Sequence, residues 1–278
     1  RYGGSSSAIN MMQMKAKQAD KLREEAAAQA HEMAGLQEDV EMPLSLESGG
    51  ELGGFVVQCL GVAFGYPGGP ELFAGAELGV TSASRVVLLG ENGNGKTTRV
   101  RLLEGALAPT AGEVRRSPKA RLALVNQHHA EQLDLSLTPL EFLSRTFPGD
   151  GSREHGEKLR SHLAGCGVVG GDRATSLQDV PISALSGGQR SRVALAAVSY
   201  TKPHLLVLDE PTNNLDLESI EALAACVKSF KGGVILVSHD QYFVTEVANE
   251  AWVVAGNRVK QVESFAKYRA AQLKKLKK

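Results

Sequence analysis

The run Gly90-Glu91-Asn92-Gly93-Asn94-Gly95-Lys96-Thr97 constrains this chain more than any other stretch, because it fits the phosphate-loop template G-x-x-x-x-G-K-[ST]. Such a loop has to join a buried strand to the first turn of a helix. Arg85-Val86-Val87-Leu88-Leu89 before it is a short apolar run suited to the strand, and Arg99-Val100-Arg101-Leu102-Leu103-Glu104 after it suits the helix. Gly90, Gly93 and Gly95 lack a Cβ, so the backbone can take positive φ and turn its N–H groups inward onto phosphate oxygens. Lys96 is placed to reach the β- and γ-phosphates, the Thr97 hydroxyl to occupy a Mg²⁺ position, and the helix to aim its positive end at the ligand. The loop therefore asks for a triphosphate.

Two further elements supply chemistry. His204-Leu205-Leu206-Val207-Leu208 is a continuous apolar run of the kind covered on both faces of a sheet, and it delivers Asp209 and Glu210 to the sheet edge where open α/β folds bind ligands. Asp209 is expected to hold Mg²⁺, directly or through water, and Glu210 to polarise an attacking water. Alone, such an acidic pair is as well read as strand punctuation; beside a phosphate loop it reads as catalysis. Val237-Ser238-His239-Asp240 ends a second apolar strand, where His239 can hydrogen-bond a γ-phosphate or the attacking water.

Composition sets limits. With 278 residues, 42% of them hydrophobic and 22% charged, the chain can bury one substantial core with a helical appendage. No run approaches the roughly 20 apolar residues needed to span a bilayer. Cys59, Cys166 and Cys226 have neither metal nor redox spacing and fit a reducing compartment, so the expected location is cytoplasmic. The net charge is zero, which leaves any nucleic-acid contact to local patches. The chain opens at Arg1 without a signal-peptide pattern, which points to a piece of a longer protein.

Residues 1–50 read as a charged helical linker, with a helix at about 9–33 and loop-like sequence around Pro43 and Gly49-Gly50. From 51 to 278 the pattern is globular. Strands are expected at 55–64, 85–89, 121–125, 204–208, 234–237 and 251–254, and helices at 97–104, 139–146, 152–164, 188–200, 217–230, 240–248 and 265–275. Their alternation predicts an α/β domain with a mainly parallel core sheet. Residues from about 131 to 182 hold helices but no convincing strand, so an inserted helical subdomain is expected over about 131–200.

The whole pattern resembles the nucleotide-binding domain of ATP-binding cassette proteins. Leu185-Ser186-Gly187-Gly188-Gln189 looks like the signature sequence of that family. The resemblance implies ATP as the nucleotide, Mg²⁺ as its ion and an antiparallel β portion beside the parallel sheet. It implies roles for Gln127 as the Q-loop glutamine that joins Mg²⁺ to the helical subdomain, for His239 as the switch histidine, and for Asp216 as the D-loop aspartate. Tyr66 matches the aromatic that stacks on adenine, although an ordinary half-buried strand tyrosine is the alternative there. Asn92 and Thr98 join the phosphate-loop residues as nucleotide contacts.

Within that superfamily the likeness is to the ABC-F proteins, the soluble members associated with ribosomes and translation, and particularly to their second cassette. Gln127-His128-His129-Ala130-Glu131-Gln132-Leu133-Asp134-Leu135, Lys202-Pro203-His204 and Glu210-Pro211-Thr212-Asn213-Asn214-Leu215-Asp216 carry it, with Asn214 standing where the family usually has histidine. Each ATP in that family lies between the phosphate loop of one cassette and the signature of another. Ser186 and Gly188 would then face a γ-phosphate held elsewhere, and the site needs a second cassette, upstream in the same protein or in a second subunit. An ATPase subunit of a membrane transporter is the alternative. A chromosome-maintenance cassette is disfavoured because fewer than 100 residues separate Lys96 from Ser186, with no sustained heptads. Arg115, Arg116, Lys119 and Arg121, and the terminal Lys274, Lys275, Lys277 and Lys278, are candidate contacts for RNA phosphates; solvated surface is the blander reading.

Overall fold

A computed structural model describes residues 44–90, 95–126, 132–170, 176–213, 215–255, 258–262, 265 and 267–269. The chain divides into units Arg1–Met42 and Pro43–Lys278, and all described residues belong to the second. The helix expected at 9–33 lies outside them. In chain order the elements are β1 (Phe55–Gly65), β2 (Glu71–Thr81), β3 (Arg85–Leu89), α1 (Lys96–Glu104), β4 (Ala111–Arg116) and β5 (Leu122–Asn126). Then come α2 (Pro139–Thr146), α3 (Arg153–Gly165), a 3-10 turn (Ile182–Ala184) and α4 (Gly187–Tyr200). The chain continues through β6 (Leu205–Asp209), α5 (Leu217–Ser229), β7 (Gly233–Val237), α6 (Gln241–Val247), β8 (Glu250–Ala255) and β9 (Arg258–Val262).

Six strands form one sheet in the order β5-β6-β7-β3-β8-β9, parallel throughout except for the β8–β9 hairpin. Three more make an antiparallel sheet in the order β2-β1-β4. Alternation along β6 explains how one run serves two cores. Leu206 and Leu208 enter a cluster with α4, α5 and α6, while Leu205 and Val207 enter a second cluster with α1 and the antiparallel sheet. All four are essentially solvent-free, each contributing on the order of 1.5–3 kcal/mol by burial.

The expected strands and the parallel core are present, but β2, β4 and β9 were not anticipated. Irregular register with β1 spaces the buried side chains of β2, Phe73, Ala76 and Val80, at intervals of three and four, which hides the strand period. β4, Ala-Gly-Glu-Val-Arg-Arg, has only Val114 half-buried and so carries no alternation to read. Of the helix expected at 265–275, residues 265 and 267–269 are helical and the rest lie outside the described residues.

The helices between β5 and β6 start on strong local signals. Thr138 and Glu141 form a reciprocal capping box on α2 with Pro139 at its first turn, and Ser152 caps α3 by accepting from the His155 N–H at 3.1 Å. Leu143, Leu159, Leu163 and Ile182 are fully buried in the cluster that also holds Val193 and Ala196 of α4. Residues 44–50 run across this region as a strap. Leu44 and Leu46 sit in the same cluster, the Ser45 N–H donates to Gly165 O (3.0 Å), the Glu47 N–H to Ser199 Oγ (2.7 Å) and the Gly49 N–H to Pro203 O (3.0 Å).

Candidate functional site

Because β3, β6 and β7 are parallel neighbours, the loops at their carboxyl ends open onto one edge of the sheet. Asp209 pairs with Val237 and Val87 with Leu236, so the phosphate loop, the Asp209-Glu210 pair and His239 converge there from three separated segments.

Gly95 caps α1 with φ of 75°, a left-handed conformation that glycine adopts without penalty. Gly90 is held against β8, where a Cβ would lie 2.9 Å from Val254 O. Lys96 Nζ donates to Gly90 O at 2.6 Å, which spans the loop, and Thr97 Oγ1 donates to Asp209 Oδ2 at 3.3 Å, which ties α1 to the end of β6. Burial pushes the Asp209 carboxyl above the usual range, against the pull of the Thr97 bond and of the Lys96 and Arg101 charges. A hydroxyl and a carboxylate side by side suit a hard cation. Mg²⁺ habitually takes one or two protein ligands, its remaining positions going to phosphate and water. The residues present fit that ion.

Glu210 has φ of 51°, which is strained for a residue with a long side chain, and its N–H donates to Val237 O at 2.7 Å. This turn brings its carboxylate to His239, whose N–H donates to Glu210 Oε2 at 3.3 Å and whose Nε2 lies 3.4 Å from Oε1. The Glu210 side chain is 19% exposed and that of His239 66%, so the pair has a sheltered carboxylate and an open imidazole. A cavity of about 250 Å³ beside them is lined by Gly90, Lys96, Ser238, His239 and Tyr268. Tyr268 was not singled out from the sequence, and an aromatic in the C-terminal helical pattern was the only signal for it. A larger cavity, about 490 Å³, lies away from this chemistry between the strap and α3, lined by Glu47, Lys158, His162 and Lys202.

Tyr66 follows the end of β1, is 45% exposed, packs edge-on against Phe64 at 5.0 Å and pairs its hydroxyl with Thr98 Oγ1 at 3.2 Å. It stands just past the strand, beside α1. Ser186 caps α4 and forms a capping box with Gln189 (2.9 and 3.2 Å), a local role its S-x-x-Q spacing also encodes. Gly188 lies where a Cβ would meet Ser219 Oγ at 3.2 Å. Asp216 caps α5, accepting from the Ser219 N–H at 2.7 Å, and that bond and the Ser219 hydroxyl hold its carboxyl below the usual range. Neither Ser186 nor Gly188 lines the cavities beside Lys96 or Glu210. Asn92, Gly93, Gln127 and Asn214 lie outside the described residues.

Most of the first basic cluster is committed internally. Arg116 donates to Leu102 O and Leu103 O, Arg121 Nε donates to Thr201 O and Lys202 O, and Arg115 pairs with Glu113 at 2.8 Å. No described helix is long and apolar enough to cross a membrane.

The sequence profile of the ABC transporter family matches residues 73–213. The chain belongs to that family. The ATP-binding domains of ABC transporter proteins are ATPases, and this cassette has its counterparts in the F branch. ABC transporter F family member 3 of Arabidopsis thaliana is 46% identical over 197 residues, 71% of this chain and 26% of that protein. ATP-binding cassette sub-family F member 3 of Homo sapiens is 41% identical over 216 residues, 77% of the chain and 29% of that protein. The cassette thus spans between a quarter and a third of the length of these relatives. It shares its fold with cbiO1 from Clostridium perfringens, part of the ABC transporter complex cbiONQ, at a TM-score of 0.65 and 23% identity over 80% of this chain and 93% of that one.

Proposed function

We propose that this ABC-F cassette binds Mg²⁺–ATP at the loop after β3 and hydrolyses it in a site completed by a second cassette, and that the intact protein acts on ribosomes in the cytoplasm. The pairing of Glu210 with His239 at the ends of β6 and β7 carries the hydrolytic reading. Lys96 and the N-terminus of α1 bind the β- and γ-phosphates, with Asn92 and Gly93 in the same loop, and Tyr66 stacks on the base. Thr97, Asp209 and Gln127 hold Mg²⁺, which when bound neutralises charge developing on the phosphates. Glu210 takes a proton from the attacking water, while His239 steadies the γ-phosphate.

Ser186 and Gly188 line neither cavity of this chain's own chemistry, which supports the reading that they serve a γ-phosphate on another cassette, with Asp216 at the same interface. Residues 1–50 are read as the linker that joins two cassettes and 51–278 as the cassette. Ribosome action rests on the ABC-F likeness; an RNA contact from the basic face would fall to Lys119 and the terminal lysines, since the neighbouring arginines are engaged. A transporter subunit is the less supported reading, since relatives at 41% and 46% identity are F-family members.

The test is sedimentation of the intact protein with Glu210→Gln, and the equivalent change in its second cassette, through a sucrose gradient of cell extract with ATP or ADP. Migration with ribosomal particles in ATP but not ADP is expected. Protein that stays at the top or follows membranes would overturn the ribosomal part of the reading.

A further inference from the structure

The cavity of about 250 Å³ that Lys96 and His239 line takes part of its wall from the C-terminal stretch of the chain, through Tyr268. Its floor is the carboxyl ends of β3 and β7. The polar side chains around it are those of Lys96, Ser238, His239 and Tyr268; all four can donate a hydrogen bond and none is a carboxylate. Ser238 Oγ already accepts the Asp240 N–H at 3.1 Å, which leaves its own proton to give. Such a wall suits a group rich in anionic oxygens, and the volume is several times the roughly 30 Å³ that one water takes up in the liquid, so a phosphoryl group fits with room for water. Helical spacing sets Tyr268 there. Phe265 packs on the core cluster that holds Leu206 and Leu208, and Tyr268, three residues later, falls on the same helix face; both are half-buried, while Lys267 and Arg269 are exposed. Among the described residues the Tyr268 hydroxyl makes no hydrogen bond, unlike that of Tyr66.

We propose that Tyr268 is a further nucleotide-binding residue: its hydroxyl donates to an oxygen of the γ-phosphate in this cavity, so that the C-terminal segment distinguishes bound ATP from bound ADP. The inference rests on the reading above, in which Lys96 and His239 meet the γ-phosphate from two other segments. The cavity those two residues share is then the place of that group, and Tyr268 borders it from a third segment. A phenol donating to an anionic oxygen makes a charge-assisted bond. ADP brings no γ-phosphate, so the contact exists with one nucleotide and not the other, and a contact of that kind is what lets a nucleotide shift the balance between conformations.

Tyr268→Phe keeps the ring and removes only the hydroxyl. The intact protein is used, with the phosphate-loop lysine of its second cassette changed to alanine so that the loop after β3 alone reports. A non-hydrolysable ATP analogue, β,γ-imido-ATP, and ADP are each titrated by displacement of a fluorescent ADP, and melting temperature is recorded. The preference for β,γ-imido-ATP over ADP is expected to fall by at least about fivefold in Tyr268→Phe, within the scale of a hydrogen bond to a charged group, with ADP affinity and melting temperature near wild type. A smaller change in that preference would overturn the contact, whether both affinities hold or both fall together; the second case would make Tyr268 a packing residue. Lys96→Ala in the same titration tests the reading underneath, since it should weaken both nucleotides through the β-phosphate. Unchanged binding of both in Lys96→Ala would sink the phosphate-loop assignment itself, whatever Tyr268→Phe does.

Discussion

Residues in this cassette act through geometry that their neighbours impose. Glu210 is held in an unfavourable backbone region so that its carboxylate reaches His239, and the charge change Glu210→Gln preserves that shape. ATP affinity should therefore persist while phosphate release falls by at least about 100-fold, the range a general base supplies. Lys96→Ala removes the ammonium that spans the loop and should weaken ATP binding itself; an unchanged affinity by fluorescence titration would contradict the phosphate-loop assignment. Tyr66 separates ring from hydroxyl. Tyr66→Phe gives up the Thr98 contact and should bind within about twofold of wild type, whereas Tyr66→Ala gives up a stacking surface worth about 0.5–1.5 kcal/mol and should bind up to about 10-fold more weakly.

At the scale of elements, the strap of residues 44–50 shows how a segment without regular structure becomes part of a core. Gly49 rests on His204, and a Cβ there would lie 2.5 Å from the imidazole and 2.7 Å from Arg121 Nη2. Both neighbours are anchored, His204 by the Arg121 N–H donating to its Nδ1 at 3.1 Å and Arg121 by two carbonyls. Gly49→Ala should cost about 1–3 kcal/mol in urea unfolding. Burial foremost, then the Arg121 charge, holds the His204 imidazole below its ordinary value of 6.5, so the unfolded chain takes up the proton more readily than the folded one. The stability that neutral His204 contributes is present above about pH 6.5 and is lost as the pH falls from there toward the depressed folded value. His204→Asn, which keeps an acceptor for Arg121, should flatten the fall of melting temperature between about pH 7 and 5.

For the molecule as a whole, the proposed assembly has the signature and the phosphate loop of one chain serve different sites. Ser186 both caps α4 and, in the proposed assembly, meets a foreign γ-phosphate, and Ser186→Asp separates these roles because aspartate caps helices as well as serine does. Melting temperature and ATP affinity at the chain's own loop should stay near wild type, while a carboxylate facing phosphate should abolish ATP-dependent sedimentation with ribosomes. Loss of ATP affinity at the chain's own loop would refute the division of labour. The sequence by itself determined the phosphate loop with its flanking strand and helix, the apolar run that ends at Asp209, and the family, because each is written in contiguous residues whose chemistry is local. Only the tertiary structure decided what strands far apart in sequence bring together: the reach of Glu210 to His239, the Thr97–Asp209 bond, the pairing of Asn126 with Asp209 across β5 and β6, and the strap on His204. The strands it added, β2, β4 and β9, have exposed or bulged patterns that single-strand periodicity does not carry, and they are strands because their partners supply the hydrogen bonds.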